Sequence, residues 1–196
     1  MFFIYMNQRP KPSLLLRAQR YVKLWVQMTV FNTYMDSPLG LLEISGTNQH
    51  LHSVLFVQAR HKPSPEKPAS EGEMPAAVAE TIRQLNEYFA GRRQAFDLHL
   101  QPTGTAFQQQ IWNLLLGIPY GQTTSYLEIS KRYGDIKAIR AVGTANGSNP
   151  IAIIVPCHRV IGSNGKLVGY GGDLWRKEWL LKHEMEHGPV PQGKLF

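Results

Sequence analysis

The sequence predicts an α+β protein in two parts: a small N-terminal α/β unit and a mainly helical C-terminal domain that contains a helix-turn-helix. Three observations carry this. Short apolar runs separated by turn residues crowd the region from Thr29 to Val57. From Thr105 onward, helical periodicity and capping signals replace them. A Gly-containing turn, Gly134-Asp135, joins two short helical segments, which is the helix-turn-helix outline.

The elements follow in order. Residues 1–28 read as an extension, broken early by Pro10 and Pro12, with residues 13–26 either a short basic helix or a stretch upstream of a natural start at Met28. Val30 to Met35 and Leu39 to Ser45 are strands flanking a turn at Asp36-Ser37-Pro38, and His50 to Val57 is a third. Residues 58–77, with four prolines, read as a loop. Val78, Ile82, Leu85 and Phe89 recur at helical spacing up to Gly91, and Phe96 to Leu100 is a last strand. Gln101 to Gly104 marks the boundary. The expected division is therefore 1–28, 29–103, 104–188 and a tail of 189–196.

In the second part, Thr105 with Gln108 is a capping box for a helix carrying Phe107, Ile111, Leu114 and Leu115 on one side. Gly117-Ile118-Pro119 ends it. Ser125 with Glu128 is a second capping box, and its helix stops at Gly134. Ile136 to about Asn146 is the second helix of the pair. Asp173 caps a last helix running to His187.

Composition narrows the function classes. A chain of 196 residues holds one medium domain or two small ones, and 43% hydrophobic residues suit a globular protein. A single cysteine excludes an intramolecular disulfide or a multi-cysteine zinc site and fits a reducing compartment. No apolar run approaches the roughly 20 residues of a membrane span, and the N-terminal residues lack a secretory pattern. A cytoplasmic location is expected. The net charge is +7, and residues 101–196 carry ten basic against six acidic residues. A basic C-terminal half favours a polyanionic partner such as nucleic acid, or is simply a solvated surface.

The one cysteine, Cys157, stands in an unusual run, Ile153-Ile154-Val155-Pro156-Cys157-His158-Arg159-Val160. Most free cysteines are buried and inert. A rigid proline before the thiol and two cationic side chains after it suit a nucleophile instead, because nearby positive charge lowers a thiol pKa. In an extended segment His158 would point away from Cys157. It can act after a sharp turn or through one water, if a third group fixes its tautomer. Glu184, among Leu180, Leu181 and Met185, is the candidate for that group, since a buried carboxylate needs a partner.

Two further segments stand out. Residues 138–147 are rich in small side chains, which permit either close approach to a narrow DNA groove or close helix–helix packing; Arg140 is the exception. Val168-Gly169-Tyr170-Gly171-Gly172 sets an aromatic in a glycine loop that can cover a pocket. His50 and His52 share a strand face, but two histidines alone make a weak metal site.

Together, Arg140-Ala141-Val142-Gly143, Gly147-Ser148-Asn149-Pro150, Pro156-Cys157-His158-Arg159-Val160, Gly169-Tyr170 and Lys177-Glu178-Trp179-Leu180-Leu181 closely resemble the methylated-DNA–protein-cysteine S-methyltransferases, the alkylguanine-DNA alkyltransferases. The match runs from about Gly104 to Glu184. The unit from Thr29 fits the family's variable, ribonuclease-H-like N-terminal domain less closely. Residues 1–28 match nothing.

The resemblance implies direct repair of double-stranded DNA bearing alkylated bases, by a monomer without a cofactor. Cys157 takes the alkyl group of 6-O-alkylguanine, and of 4-O-alkylthymine, once and irreversibly. His158, held by Glu184, deprotonates it through a water, and Asn149 braces the turn. The helix-turn-helix docks in the minor groove and the base is flipped into a pocket. Arg140 fills the vacated stack, with Ala138, Gly143 and Ala145 on the DNA-facing helix, and Ser163 touches DNA. Tyr126 helps rotate the nucleotide. The carbonyls of Cys157 and Val160 read the base's amino group, and Tyr170 and Gly171 contact the leaving oxygen.

Two departures count. Many members carry serine where this chain has Gly171, which leaves a backbone amide as the only donor there. Some bind zinc through N-terminal cysteines that this chain lacks, so no zinc is expected. Rival readings are a non-catalytic lesion sensor, which typically lacks the cysteine, and a DNA-binding regulator signalled by alkylation of Cys157. A cysteine protease lacks its local signature here. Separately, Gln192, Leu195 and Phe196 resemble a bacterial sliding-clamp peptide, a short pattern that chance often produces.

Overall fold

A computed structural model describes residues 29–57 and 74–188. The readings placed on residues 1–28, on 58–73 and on the tail, with its clamp-like Gln192, Leu195 and Phe196, lie outside the described residues.

The N-terminal unit is an antiparallel meander of β1 (Phe31–Met35), β2 (Leu42–Gly46) and β3 (Leu51–Phe56), in that spatial order. Strand alternation puts Phe31, Met35, Leu42, Ile44 and Val54 inward, and all are buried. Helix α1 (Ala76–Phe89) covers that face with Val78, Leu85 and Tyr88, each 0% exposed. The second strand begins at Leu42 rather than Leu39. Ser37 and Gly40 exchange backbone hydrogen bonds in the turn, Gly40 takes φ 98°, and Leu39 is held out of the ladder as a core residue.

The expected strand at Phe96 to Leu100 reduces to one bridge, Leu51 to Leu100. The reason is competition for one edge. At its start β3 pairs with the 99–101 segment, but Val54 donates to Pro150 O and accepts from Ala152 N. The rest of that edge is thus taken by the chain leading to Cys157.

The C-terminal part opens with α2 (Ala106–Leu116), whose Thr105–Gln108 capping box is complete in both directions. Strand β4 (Thr124–Ser125) runs into α3 (Tyr126–Tyr133), where Ser125 caps Glu128 N and Gly134, at φ 98°, stops the helix. The next segment starts as a 3-10 turn, Ile136–Ala138, and continues as α4 (Ile139–Gly147). Helices α3 and α4 pack on each other and both on α2, with Trp112 Nε1 donating to Ala145 O at 2.8 Å. A 3-10 turn, Cys157–Arg159, leads to β5 (Val160–Ile161), which pairs in parallel with β4.

Helix α5 (Leu174–Glu186) closes the fold. Asp173 occupies its N-cap at φ 72° but makes no side-chain cap; its carboxylate is drawn to Arg176 Nη1 at 2.8 Å. Among the described residues no helix is long and apolar enough to cross a membrane.

Candidate active site

The reactive turn is built from residues 149–160, all but one of them buried. Asn149 organises it. Its Nδ2 donates to Val155 O (2.8 Å), Ile151 O (3.3 Å) and Cys157 Sγ (3.1 Å), and its Oδ1 accepts from Ile151 N (3.0 Å). Ile153 is driven to φ 72°, a left-handed conformation that costs a β-branched residue about 1–3 kcal/mol. The surrounding hydrogen bonds sustain it. Because Cys157–Arg159 is a 3-10 turn, adjacent side chains no longer alternate across an extended strand.

Cys157 is 5% exposed and lines a cavity of about 620 Å³ together with Asn149, Tyr170 and Gly171, and with Glu43 and Phe56 from the sheet. A slightly larger cavity, about 680 Å³, is lined by Tyr120, Pro156 and Arg159, and the thiol does not reach it. The chemistry therefore belongs to the smaller one.

His158 is wholly buried, with Nε2 2.7 Å from Glu184 Oε1. Its Nδ1 is buried without a hydrogen-bond partner among the described residues. Glu184 is a hub. Arg159 grips it with Nε to Oε2 (2.9 Å) and Nη2 to Oε1 (3.0 Å), and reaches Ile118 O with Nη1 (2.6 Å). Tyr88 Oη donates to Oε1 at 2.9 Å and Gly121 N to Oε2 at 3.1 Å.

Burial pushes the Glu184 pKa up, but His158 and Arg159 outweigh it and hold the carboxylate well below its usual range. Burial lowers the His158 pKa, with the Glu184 charge opposing, so the imidazole is neutral and donates Nε2–H to Glu184. That tautomer leaves a lone pair on Nδ1.

The thiol departs from expectation. Burial raises the Cys157 pKa, with the Asn149 hydrogen bond and the charge of Lys177 pulling the other way. The cations next in sequence do not lower it, because Arg159 is spent on Glu184 and His158 is neutral. The resting group is a thiol. Lys177, 0% exposed on α5, donates Nζ to Val160 O (2.6 Å) and Val168 O (2.8 Å), and burial brings its pKa to about 8.

The remaining predicted residues distribute as follows. Tyr126, whose pKa burial raises to about 12, donates to the carbonyls of Val168 and Gly169 at 3.1 Å and so ties the glycine loop to α3. Tyr170 packs edge-on to Phe56, with its buried hydroxyl unpartnered among the described residues. Gly171 is exposed, and a Cβ there would stand 3.1 Å from Gly147 O, a contact to which the Gly147 carbonyl would have to yield by a few tenths of an ångström. Val160 O is already bonded to Lys177, and Cys157 O accepts from Asn146 Nδ2 (3.3 Å) and Val160 N.

On α4 and its lead-in, Arg140 is exposed and Ala138 and Gly143 are partly so, whereas Ala145 is 2% exposed. It belongs to the hydrophobic core and its carbonyl accepts from Trp112 of α2, so close helix–helix packing explains that small residue. Ser163 is exposed in the turn closed by Gly162 N to Lys166 O.

Sequence reasoning missed Arg159 as the partner of Glu184, and it missed Lys177, Asn146 and Tyr88. The only signal was Glu184 itself, a carboxylate on an apolar helix face. Among the described residues no three metal-ligating side chains gather; the His50 ring packs edge-on to His99, with centroids 6.3 Å apart.

Comparison with known families matches residues 30–102 to the ribonuclease-like domain, and residues 106–186 to the DNA binding domain, of 6-O-methylguanine DNA methyltransferase. The chain belongs to the 6-O-methylguanine DNA methyltransferase family. Its relatives in this family include proteins named methylated-DNA–protein-cysteine methyltransferase. That of Mycolicibacterium paratuberculosis is 48% identical over 156 residues, covering 80% of this chain and 93% of the relative. That of Methanosarcina acetivorans is 49% identical over 155 residues, covering 79% and 98%. The crystal structure of Mycobacterium tuberculosis O6-methylguanine methyltransferase superposes with a TM-score of 0.71 at 46% identity, covering 83% of this chain and 96% of that one. That of Mycobacterium tuberculosis OGT in complex with DNA gives 0.70 at 47% identity, covering 81% and 94%. The two-part α+β architecture of this methyltransferase family member is thus the family's own.

Proposed function

We propose that this protein repairs DNA by moving the alkyl group of 6-O-alkylguanine, and of 4-O-alkylthymine, onto Cys157. One observation carries the assignment of roles. The chain's single cysteine lines a cavity beside the paired helices, and the neighbouring imidazole is locked by Glu184 in the tautomer that leaves Nδ1 free to take a proton. The raised thiol pKa supports deprotonation in step with transfer rather than a standing thiolate.

The reaction balances as follows. The Cys157 proton passes to His158 Nδ1 through one water. Sulfur forms a bond to the alkyl carbon as the bond from carbon to the guanine oxygen breaks. The electron pair of that bond stays on the oxygen, where the Tyr170 hydroxyl and the Gly171 amide receive it. The product is a thioether, so each molecule acts once and needs no cofactor. Asn149 holds the sulfur in line.

The DNA approach rests on α3 and α4. Exposed Arg140 fills the stack left by a flipped base, Ala138 and Gly143 allow the helix close to the minor groove, and Ser163 meets the backbone. Tyr126 turns the nucleotide, and the Cys157 and Val160 carbonyls each offer a remaining lone pair to the base's amino group. The division at 103/104, a monomeric state, a cytoplasmic location, which a single free cysteine suits, and a weak clamp contact through Gln192, Leu195 and Phe196 complete the reading.

The test is the intact mass of the protein after incubation with a duplex carrying 6-O-methylguanine. A gain of one methyl group per molecule, absent in Cys157→Ala, is expected. Turnover beyond one, or transfer in the variant, overturns the assignment. Lesion binding without mass gain indicates a sensor instead.

A further inference from the structure

We infer that Tyr88, on α1 of the N-terminal unit, is a positioning residue for the proton relay: its hydroxyl fixes Glu184, which in turn fixes the acceptor face of His158. The inference rests on the role of His158 proposed above.

Glu184 Oε1 sits between three donors, His158 Nε2 at 2.7 Å, Tyr88 Oη at 2.9 Å and Arg159 Nη2 at 3.0 Å. Its Oε2 takes Arg159 Nε and Gly121 N. Every donor but Tyr88 comes from residues 118–160. Tyr88 reaches the carboxylate across 96 positions of sequence, from the helix that otherwise serves the sheet.

The side chain is built to stay there. Tyr88 is 0% exposed, and its ring is caged by Phe89, Phe96, Tyr120 and His183, with centroids 5.3–6.1 Å away. Its carbonyl oxygen is bound by His183 Nε2 at 2.7 Å, one residue before Glu184. Two adjacent residues of α5 thus grip the same tyrosine. Burial raises its pKa well above 10, so the phenol remains a donor.

A donor on Oε1 spreads the carboxylate's negative charge and weakens its pull on the His158 Nε2–H. This helps keep His158 neutral and ready to accept. Other charged or titratable groups facing the cluster are Arg159 on the reactive turn, Lys177 on α5, Tyr120 and Tyr170; His183 faces the tyrosine ring.

The test compares full-length protein with Tyr88→Phe and with 3-fluorotyrosine placed at position 88. Single-turnover transfer from 6-O-methylguanine duplex is followed across acid and neutral pH. Loss of the hydroxyl slows transfer at neutral pH roughly three- to tenfold, the scale of one charge-assisted hydrogen bond partly replaced by its neighbours. It also moves the acid limb of the rate profile to higher pH, because His158 protonates more easily. The fluorinated ring, a stronger donor, moves that limb to lower pH. Binding to the duplex changes in neither. A purely packing role predicts an unmoved limb in both proteins, and that result overturns the inference. If Tyr88→Phe fails to fold, the fluorotyrosine protein alone decides by the same criterion. Wild-type protein that gains no methyl group instead sinks the parent reading.

Discussion

The Asn149 amide nitrogen lies 3.1 Å from the sulfur of Cys157 while donating to the Val155 carbonyl at 2.8 Å. One side chain therefore shapes the turn and touches the reacting atom. Asn149→Ala leaves the buried Ile151 amide without its acceptor, a loss of about 1–3 kcal/mol, and takes one of two donors from the Ile151 and Val155 carbonyls. A lower melting temperature and slower methyl transfer are expected together. Asn149→Asp should also slow transfer, since a carboxylate beside sulfur disfavours the thiolate; single-turnover kinetics at neutral pH reads both.

The pH dependence of the thiol follows from burial. The Cys157 pKa lies above its ordinary 9.0, so iodoacetamide modification of free protein should be slow at neutral pH and climb only beyond 9. The same shift has a stability consequence. A pKa raised on folding stabilises the native state below the unfolded value and loses that contribution as pH rises through the folded one. Denaturation midpoints in alkaline buffers should fall more steeply for wild type than for Cys157→Ser.

Glu184 acts in the opposite direction. Its pKa is depressed by His158 and Arg159 against the cost of burial, so its stabilisation is complete above 4.5 and lost as pH drops through the folded value. Glu184→Gln leaves the Arg159 guanidinium buried without its counter-ion, which costs about 3–5 kcal/mol. Urea unfolding at neutral pH should register that loss. The variant should also show a flatter dependence on acid than wild type.

Phe56 forms a wall of the thiol cavity from the sheet side, under the Arg176 guanidinium at 4.8 Å and beside Tyr170. Phe56→Ala should widen the cavity and raise the rate on 6-O-benzylguanine relative to 6-O-methylguanine severalfold. An unchanged ratio of the two single-turnover rates would show that this wall does not limit adduct size.

The sequence by itself determined much of this protein. Local signals were sufficient wherever the physics is local: the Thr105–Gln108 box and the Gly134 stop appear as read. The resemblance in residues 140–181 named the family and the chemistry. Other features depend on contacts between distant segments. Phe96 to Leu100 has strand composition, yet the 150–152 segment claims most of the β3 edge. Asp173 looks like a cap, yet Arg176 takes its carboxylate. Ala145 looks like a groove-facing residue, yet Trp112 and α2 hold it in the core. The thiol's neighbours in sequence are cations, yet Glu184 consumes Arg159, and the charge that reaches the sulfur is Lys177 from twenty residues on. Hydrogen-bond partners and desolvation are properties of three-dimensional neighbours, and only the folded arrangement of α1, the reactive turn and α5 decided them.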